Sequence, residues 1–175
     1  MKIILALGSN IGNRLSYIIE AIQLIKNQHI LTEINVSQIY ESKALLTENA
    51  PKTWDKKFIN LAISGFSQLT PYQLLSAIKK IEQDIGRTNR GIWSPREIDI
   101  DILLYGDLVI KSPNLTIPHQ EFLNRDFAYL PANDLYPDWQ HPAKGAFYKK
   151  KLSQIIASKN ISTYDCQIIN KNINI

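Results

Sequence analysis

Apolar residues recur along this 175-residue chain with two different periods, and the changes of period mark its elements. Residues 2–7 form a short apolar run ended by Gly8-Ser9-Asn10, the pattern of a buried strand and its turn. Beyond Gly12-Asn13, Leu15, Ile18, Ile19, Ile22 and Ile25 fall on one helical face. Residues 30–40 are rich in β-branched side chains, with Ile34, Val36 and Ile39 between polar positions, which predicts one long strand. Residues 42–56 keep no period and contain Asn49, Pro51 and Asp55. They predict a long loop, of a length that is usually functional when it is ordered. Phe58 to Phe66 is the next predicted strand. Thr70-Pro71 then supplies an N-cap and a proline at the first helical position. Leu74, Leu75, Ile78, Ile81 and Ile85 form the buried face of that helix, and Gly86 stops it. From Ile98 to Ile102 isoleucine and aspartate alternate strictly, which is the period of a strand. Tyr105-Gly106-Asp107 turns the chain into a strand at Leu108-Val109-Ile110. Pro113, Pro118, Pro131, Pro137 and Pro142 keep the rest in turns and short helices as far as Leu152–Ile156.

The order strand–helix–strand–strand–helix–strand is that of an α+β, ferredoxin-like fold with a βαββαβ core. It predicts an antiparallel sheet flanked by helices packed on one face. With 45% hydrophobic residues the chain can bury one core, read here as residues 1–157, followed by a tail or linker over 158–175. No run of about 18 apolar residues offers a membrane span. Met1 to Leu7 reaches its turn too soon for a signal peptide. The single cysteine, Cys166, excludes an internal disulfide framework and a Cys-based zinc site, which fits a reducing cytoplasm. A net charge of +4 suits an anionic ligand but is too dispersed to argue for nucleic acid.

The alternation at Ile98–Ile102 carries the candidate chemistry. In a strand the isoleucines face one side, and Asp99 and Asp101 face the other, about 6–7 Å apart. Two carboxylates so placed can converge on divalent cations, although the same pattern also suits a half-buried strand with an acidic face. Arg87, Arg90 and Arg96 lie just upstream, and His119 and Arg125 downstream. Carboxylates beside guanidinium groups suggest a nucleotide held with its magnesium. No GxxxxGK[ST] loop exists, so side chains rather than loop amides must hold the phosphates. His119 can donate a hydrogen bond or a proton there, or serve simply as a turn residue. Trp93 either stacks on a planar ring or anchors its loop. Phe58 and Phe127 are core residues by default. Asn60 shares a strand face with Phe58 and needs polar partners, in the core or on a heterocycle. Glu82 reads as a surface glutamate, with a clamp on the loop at Arg87 as the alternative.

Taken together these residues resemble the 6-hydroxymethyl-7,8-dihydropterin pyrophosphokinase family of folate biosynthesis. The resemblance rests on Trp93-Ser94-Pro95-Arg96-Glu97-Ile98-Asp99-Ile100-Asp101-Ile102-Leu103, on Leu7-Gly8-Ser9-Asn10 and Phe58-Ile59-Asn60, and on Glu82 through Gly86-Arg87. Pro118-His119 and Asn124-Arg125-Asp126-Phe127 extend it, so that it covers about residues 1–157. It implies that pyrophosphate passes from ATP, the co-substrate, to the pterin hydroxymethyl group with release of AMP. By the same resemblance Asp99 and Asp101 hold two Mg2+ ions. Arg87, Trp93, Arg96, Asp99 and Asp101 are the catalytic group. ATP is contacted by Arg87, Arg90, Trp93, Arg96, Ile102, Thr116, His119 and Arg125. The pterin meets Gly8, Ser42, Ala44, Leu45, Phe58, Asn60 and Phe127. Five departures stand out, one of them a loop from Leu46 to Lys57 that is longer than usual. Ser42-Lys43-Ala44 replaces a Thr-Pro-Pro turn, which implies a more mobile pterin-side loop. The segment from Arg87 to Trp93 is one residue short, leaving one loop-arginine role open between Asn89 and Arg90. Ile92 replaces a basic residue, and Gln120 follows His119 where tyrosine is frequent.

Some members of the family are fused to dihydropteroate synthase, whose start resembles Ile173-Asn174-Ile175. This chain is therefore expected to be the front part of such a polypeptide. Two other classes compete with this reading. A metal-dependent nucleotidyltransferase also uses Gly-Ser with Asp-x-Asp, but there the two lie close together, unlike Ser9 and Asp99. A ferredoxin-like RNA-binding module needs a Lys/Arg-Gly-Phe-type strand that this chain lacks.

Overall fold

The structure is a computed structural model and describes residues 1–88, 90–91, 93–159 and 165–169. Asn89 and Ile92 fall outside the described residues, as do residues 160–164 and 170–175, which include Ile173-Asn174-Ile175.

Five segments build the sheet core: β1 (Lys2–Ser9), β2 (Thr32–Val36), β3 (Tyr40–Ser42), β4 (Phe58–Phe66) and β5 (Asp99–Tyr105). Helix α1 (Arg14–Asn27) follows β1, and α2 (Pro71–Asp84) joins β4 to β5. β1 lies between β4 and β5, with β3 and β2 beyond β4, and every pairing is antiparallel. This is the ferredoxin-like order. At the start of α2 the Thr70 hydroxyl accepts the Gln73 N–H while the Gln73 side chain accepts the Thr70 N–H. That reciprocal cap sets the helix entry.

The predicted strand over 30–40 is two strands. Val36 pairs with Ile63 and Tyr40 with Asn60, so the outer chain holds one residue more than its partner between those pairs. Ser37 absorbs the mismatch: its hydroxyl accepts the Ala62 N–H at 2.9 Å, and its own N–H donates to Ala62 O. The predicted loop over 42–56 contains one 3-10 turn, Lys52–Trp54. The strand predicted at Leu108-Val109-Ile110 shrinks to β6 (Ile110–Lys111), paired with β7 (Thr116–Ile117), and leaves Leu108 and Val109 exposed.

The expectation of helices on one face is corrected. Ile3, Leu5, Leu7 and Ile98, Ile100, Ile102 pack under α1 and α2 with Ile22, Leu74 and Ile78. Ile4, Ala62, Leu103 and Leu104 pack on the other face against α3 (Asp126–Leu135), α4 (Leu152–Ala157) and the buried Trp139. A bulge at Leu103 permits this, since Ile102 pairs with Leu5 but Leu104 pairs with Ile4. Helix α3 includes Pro131, the residue that argued for turns. A last short strand, β8 (Gln167–Ile168), pairs with the outer edge of β3.

Candidate active site

β-sheet register assembles the site. Asp99 lies opposite Gly8, Gly8 opposite Asn60, Asp101 opposite Ala6, and Ser42 opposite Phe58. Side chains at paired positions share a face, so these residues emerge together on the side away from α1 and α2. There α3 and the segment around His119 leave the sheet open, and a cavity of about 810 Å³, part of it open to solvent, fills the gap. Gly8 keeps that floor low: a Cβ there would sit 3.1 Å from Asn60 Oδ1 and 3.5 Å from the Phe58 ring. Asn60 is buried, and its Nδ2 donates to the Ser42 hydroxyl at 2.9 Å. Phe127, projected from the first turn of α3, forms the opposite wall.

At the other end the Asp strand meets the cations. Asp99 Oδ1 accepts from Arg87 Nη1 at 2.6 Å and Oδ2 from Arg96 Nη1 at 3.1 Å. Burial pushes the Asp99 carboxyl up, but Arg96 and Arg87 outweigh it and hold the group below its usual range. Asp101 has no such pair. Burial and the Asp99 charge raise it, against the pull of Lys79, whose Nζ stands 3.9 Å away, and of His119. His119 follows a cis Ile117–Pro118 peptide, and its Nδ1 accepts the Glu121 N–H at 3.2 Å. In the neutral ring that bond leaves the proton on Nε2. The Arg125 guanidinium carbon lies 5.5 Å from the Trp93 ring centre and 6.0 Å from that of Phe127. Arg125 Nε is buried without a hydrogen-bond partner among the described residues.

Glu82 is the clamp rather than the surface glutamate. Its carboxylate is nearly buried on α2, and Oε1 accepts the Ile100 N–H at 2.7 Å and Lys79 Nζ at 2.8 Å. The same oxygen lies 2.6 Å from Arg87 Nη1. Burial raises the Glu82 carboxyl despite these cations. Helix α2, strand β5 and the loop cation therefore meet at a single atom.

Of the predicted residues, Gly8, Ser42, Leu45, Phe58, Asn60, Trp93, Arg96, Asp99, Asp101, His119, Arg125 and Phe127 line the cavity. Arg87 and Arg90 line an adjoining depression with Trp93 and Arg96. Arg90 is taken by Glu97, with contacts of 2.5 and 3.1 Å, so it braces the loop. Ala44 lies between Lys43 and Leu45 without lining the cavity. Ile102 points into the core beneath α1 and α2, because its parity on β5 is that of Ile98 and Ile100. Thr116 sits on β7, away from the cavity lining.

Four contributors escaped the sequence reading. Lys43 and Leu103 line the cavity. Asn10 binds the Arg96 backbone reciprocally, accepting its N–H at 2.8 Å and donating to its carbonyl at 3.2 Å, while its Nδ2 reaches Lys56 O. Its place in a turn cluster gave no sign of those partners. Lys79 was hidden among the solvent positions of a helix.

Known proteins resemble this chain in sequence and in fold. The family model described as 7,8-dihydro-6-hydroxymethylpterin-pyrophosphokinase (HPPK) matches residues 4–137. A 2-amino-4-hydroxy-6-hydroxymethyldihydropteridine pyrophosphokinase of Aquifex aeolicus is 40% identical over 162 residues, 93% of this chain and 94% of the relative. A folate synthesis bifunctional protein of Chlamydia caviae is 44% identical over 126 residues, 71% of this chain but 28% of the relative. A crystal structure of Plasmodium falciparum HPPK-DHPS superposes with a TM-score of 0.63 at 18% identity, over 89% of this chain and 43% of that one. This likeness speaks for the fold. The chain thus spans nearly the whole Aquifex relative and a minor part of the bifunctional ones.

Proposed function

The chain belongs to the 7,8-dihydro-6-hydroxymethylpterin-pyrophosphokinase family, and from that premise we propose how its own residues carry the reaction. Pyrophosphate passes from ATP to the hydroxymethyl group of 6-hydroxymethyl-7,8-dihydropterin, giving AMP and the pterin diphosphate for folate biosynthesis. The observation that carries the assignment of residues is one cavity with two unlike ends. At one end a buried amide and hydroxyl, Asn60 and Ser42, line the cavity together with Phe58 and Phe127. At the other, Asp99 and Asp101 stand among Arg96, His119 and Arg125.

A flat, hydrogen-bonding heterocycle fits the first end: two aromatic walls enclose it, and Asn60 reads its edge. A triphosphate fits the second, since guanidinium forks bind phosphate oxygens and His119 Nε2–H is a further donor. The donor chemistry also fits magnesium. Asp99 and Asp101 are hard oxygen ligands on one strand face, and the elevation of Asp101 beside Asp99 is what a divalent cation would relieve. Bound there, Mg2+ would supply charge neutralisation on the phosphates.

The protein's own part is positioning. The floor at Gly8 sets the height of the ring, so that its hydroxymethyl oxygen points toward the Asp99 end. That oxygen forms a bond to the β-phosphorus while the bond from the β-phosphorus to the α,β-bridging oxygen breaks; the hydroxyl proton passes to solvent and AMP leaves with the bridging oxygen. Arg87 and Arg96 leave Asp99 to follow the charge that moves onto the leaving oxygen. Trp93, on the loop above, excludes water. The single cysteine supports a cytoplasmic location.

The test is incubation with magnesium, ATP and 6-hydroxymethyl-7,8-dihydropterin. AMP should form only when the pterin is present, and release of pyrophosphate instead would overturn the reading. Asp99→Ala and Asp101→Ala should each abolish turnover with the circular dichroism spectrum unchanged, and a fully active variant would remove that residue from the site.

A further inference from the structure

Residues 165–169 lie beyond the part of the chain that the family model matches, yet they return to the sheet beside the pterin end of the site. β8 covers the free edge of β3, pairing Gln167 with Glu41 and Ile168 with Tyr40, and Ile169 N–H donates to Ile39 O at 2.9 Å. Ile169 also packs against the first core. Asp165 places its carboxylate 3.2 Å from Nζ of Lys43, a cavity residue.

β3 is only Tyr40–Ser42, and it carries Ser42, the partner of Asn60. It opens directly into Lys43 and Leu45 of the cavity rim. Such a short strand, bonded on one edge only, is weakly held. The second edge and the Lys43 contact supply what β4 alone cannot. Cys166 of the same segment feels the charge of Asp126, at the start of the helix α3 that bears Phe127. Cys166 is half-buried, and burial and the Asp126 charge hold its thiol at about 12. Tyr40 in turn gives its hydroxyl to the carboxylate of Asp134, also on α3, at 3.0 and 3.1 Å. The segment therefore lies where the two sides of the pterin pocket, the β3 rim and α3, come together.

We propose that residues 165–169 are a positioning element of the pterin subsite, fixing β3 and the Lys43–Leu45 rim so that Ser42 and Asn60 are preset for the ring. This rests on the pyrophosphokinase reading above. Preset recognition groups bind more tightly because less ordering is left to the moment of binding. The contacts of the segment described above lie at β3 and Lys43, on the pterin side, so the nucleotide end should be indifferent to it.

The variant is Ile169→Pro in the full chain, which deletes the N–H given to Ile39 O. Ile169→Val is the control, keeping that N–H and most of the side chain. Binding of 6-hydroxymethylpterin and of a non-hydrolysable ATP analogue is measured separately by titration calorimetry. The pterin Kd should rise on the order of ten-fold in Ile169→Pro, as expected for one lost hydrogen bond and the order it maintains. The ATP-analogue Kd should stay within two-fold, and Ile169→Val should match the parent chain. Equal weakening of both ligands, or an unchanged pterin Kd, overturns the proposal. Should Ile169→Pro fail to fold, hydrogen exchange on the unaltered chain decides. Pterin alone must slow exchange in both 165–169 and 40–45, and the absence of that joint protection overturns the proposal. A parent chain that binds no pterin at all overturns the functional reading instead.

Discussion

Glu82→Ala removes the carboxylate oxygen on which the Ile100 N–H, Lys79 Nζ and Arg87 Nη1 converge at 2.7, 2.8 and 2.6 Å. The three losses differ in weight. Ile100 N–H is buried and would be left without an acceptor, at about 1–3 kcal/mol. Arg87 is three-quarters buried and keeps Asp99, so its share is about 1 kcal/mol. Lys79 is 40% exposed and turns to water at little cost, a few tenths of a kcal/mol. The sum is about 3 kcal/mol, a large part of the roughly 5–15 kcal/mol that holds a domain together. It corresponds to a fall of about 10 °C in Tm at this size. Glu82→Gln isolates the first component, because its amide oxygen still accepts from Ile100. The charge it removes is one that burial disfavours, since the Glu82 carboxyl is raised. A raised carboxyl contributes stability below its unfolded pKa and loses it as pH rises through the folded value, so at neutral pH the charge costs the fold. Glu82→Gln should therefore lose about 1 kcal/mol or less. Urea unfolding of the three proteins at pH 7 provides the measurement. Equal losses in the alanine and glutamine variants would refute the role given to Ile100 N–H. A loss below about 1 kcal/mol in Glu82→Ala would refute the convergence as a source of stability.

Three further outcomes follow from the geometry. Gly8→Ala places a Cβ 3.1 Å from Asn60 Oδ1; it should raise the pterin Kd about ten-fold, roughly 1.4 kcal/mol, while leaving the ATP-analogue Kd alone in the same titrations. Arg90 holds the Glu97 carboxyl below its usual 4.5. A depressed carboxyl contributes stability above the unfolded value and loses it as pH falls through the folded one. The parent chain should therefore lose more stability than Glu97→Gln on acidification below 4.5, read as Tm against pH; parallel curves would contradict the pairing. Asn10→Ala removes the side-chain acceptor of the Arg96 N–H, leaving the bond from its own backbone N–H to the Arg96 carbonyl, and should lower kcat with the pterin Kd unchanged, a split visible in steady-state kinetics with AMP as the product measured.

Much of this was legible from residue order. Strict alternation at Ile98–Ile102 placed Asp99 and Asp101 on the face opposite the core, and Thr70-Pro71 began α2 where the structure begins it. Both are local signals, carried within a few residues. What was missed depends on partners distant in sequence. The Ile102 side chain lies with Ile98 and Ile100 in the core by local parity alone, and the ATP contact that the resemblance implies for this residue remains a proposal. Arg90 read as a phosphate ligand because Glu97 gave no sign that it would turn back to it. Glu82 looked solvent-facing because its spacing in α2 does not reveal that β5 presents an unpaired N–H at Ile100. The helices on the second face were obscured by Pro131, whose helix α3 is held by tertiary packing around Trp139 rather than by propensity.

The bond between Asn10 and the Arg96 backbone spans 86 residues of chain. Contacts of such separation carry a loop-closure cost that only the assembled sheet can offset, so they form late on a folding route. The helices α1 and α2 can form early from local contacts, but the phosphate end of the site comes into being only when β5 docks on β1. Partly folded forms of this chain are therefore expected to be helical and catalytically silent. Regain of activity on refolding would then time the docking of β5, and should lag the recovery of helical ellipticity.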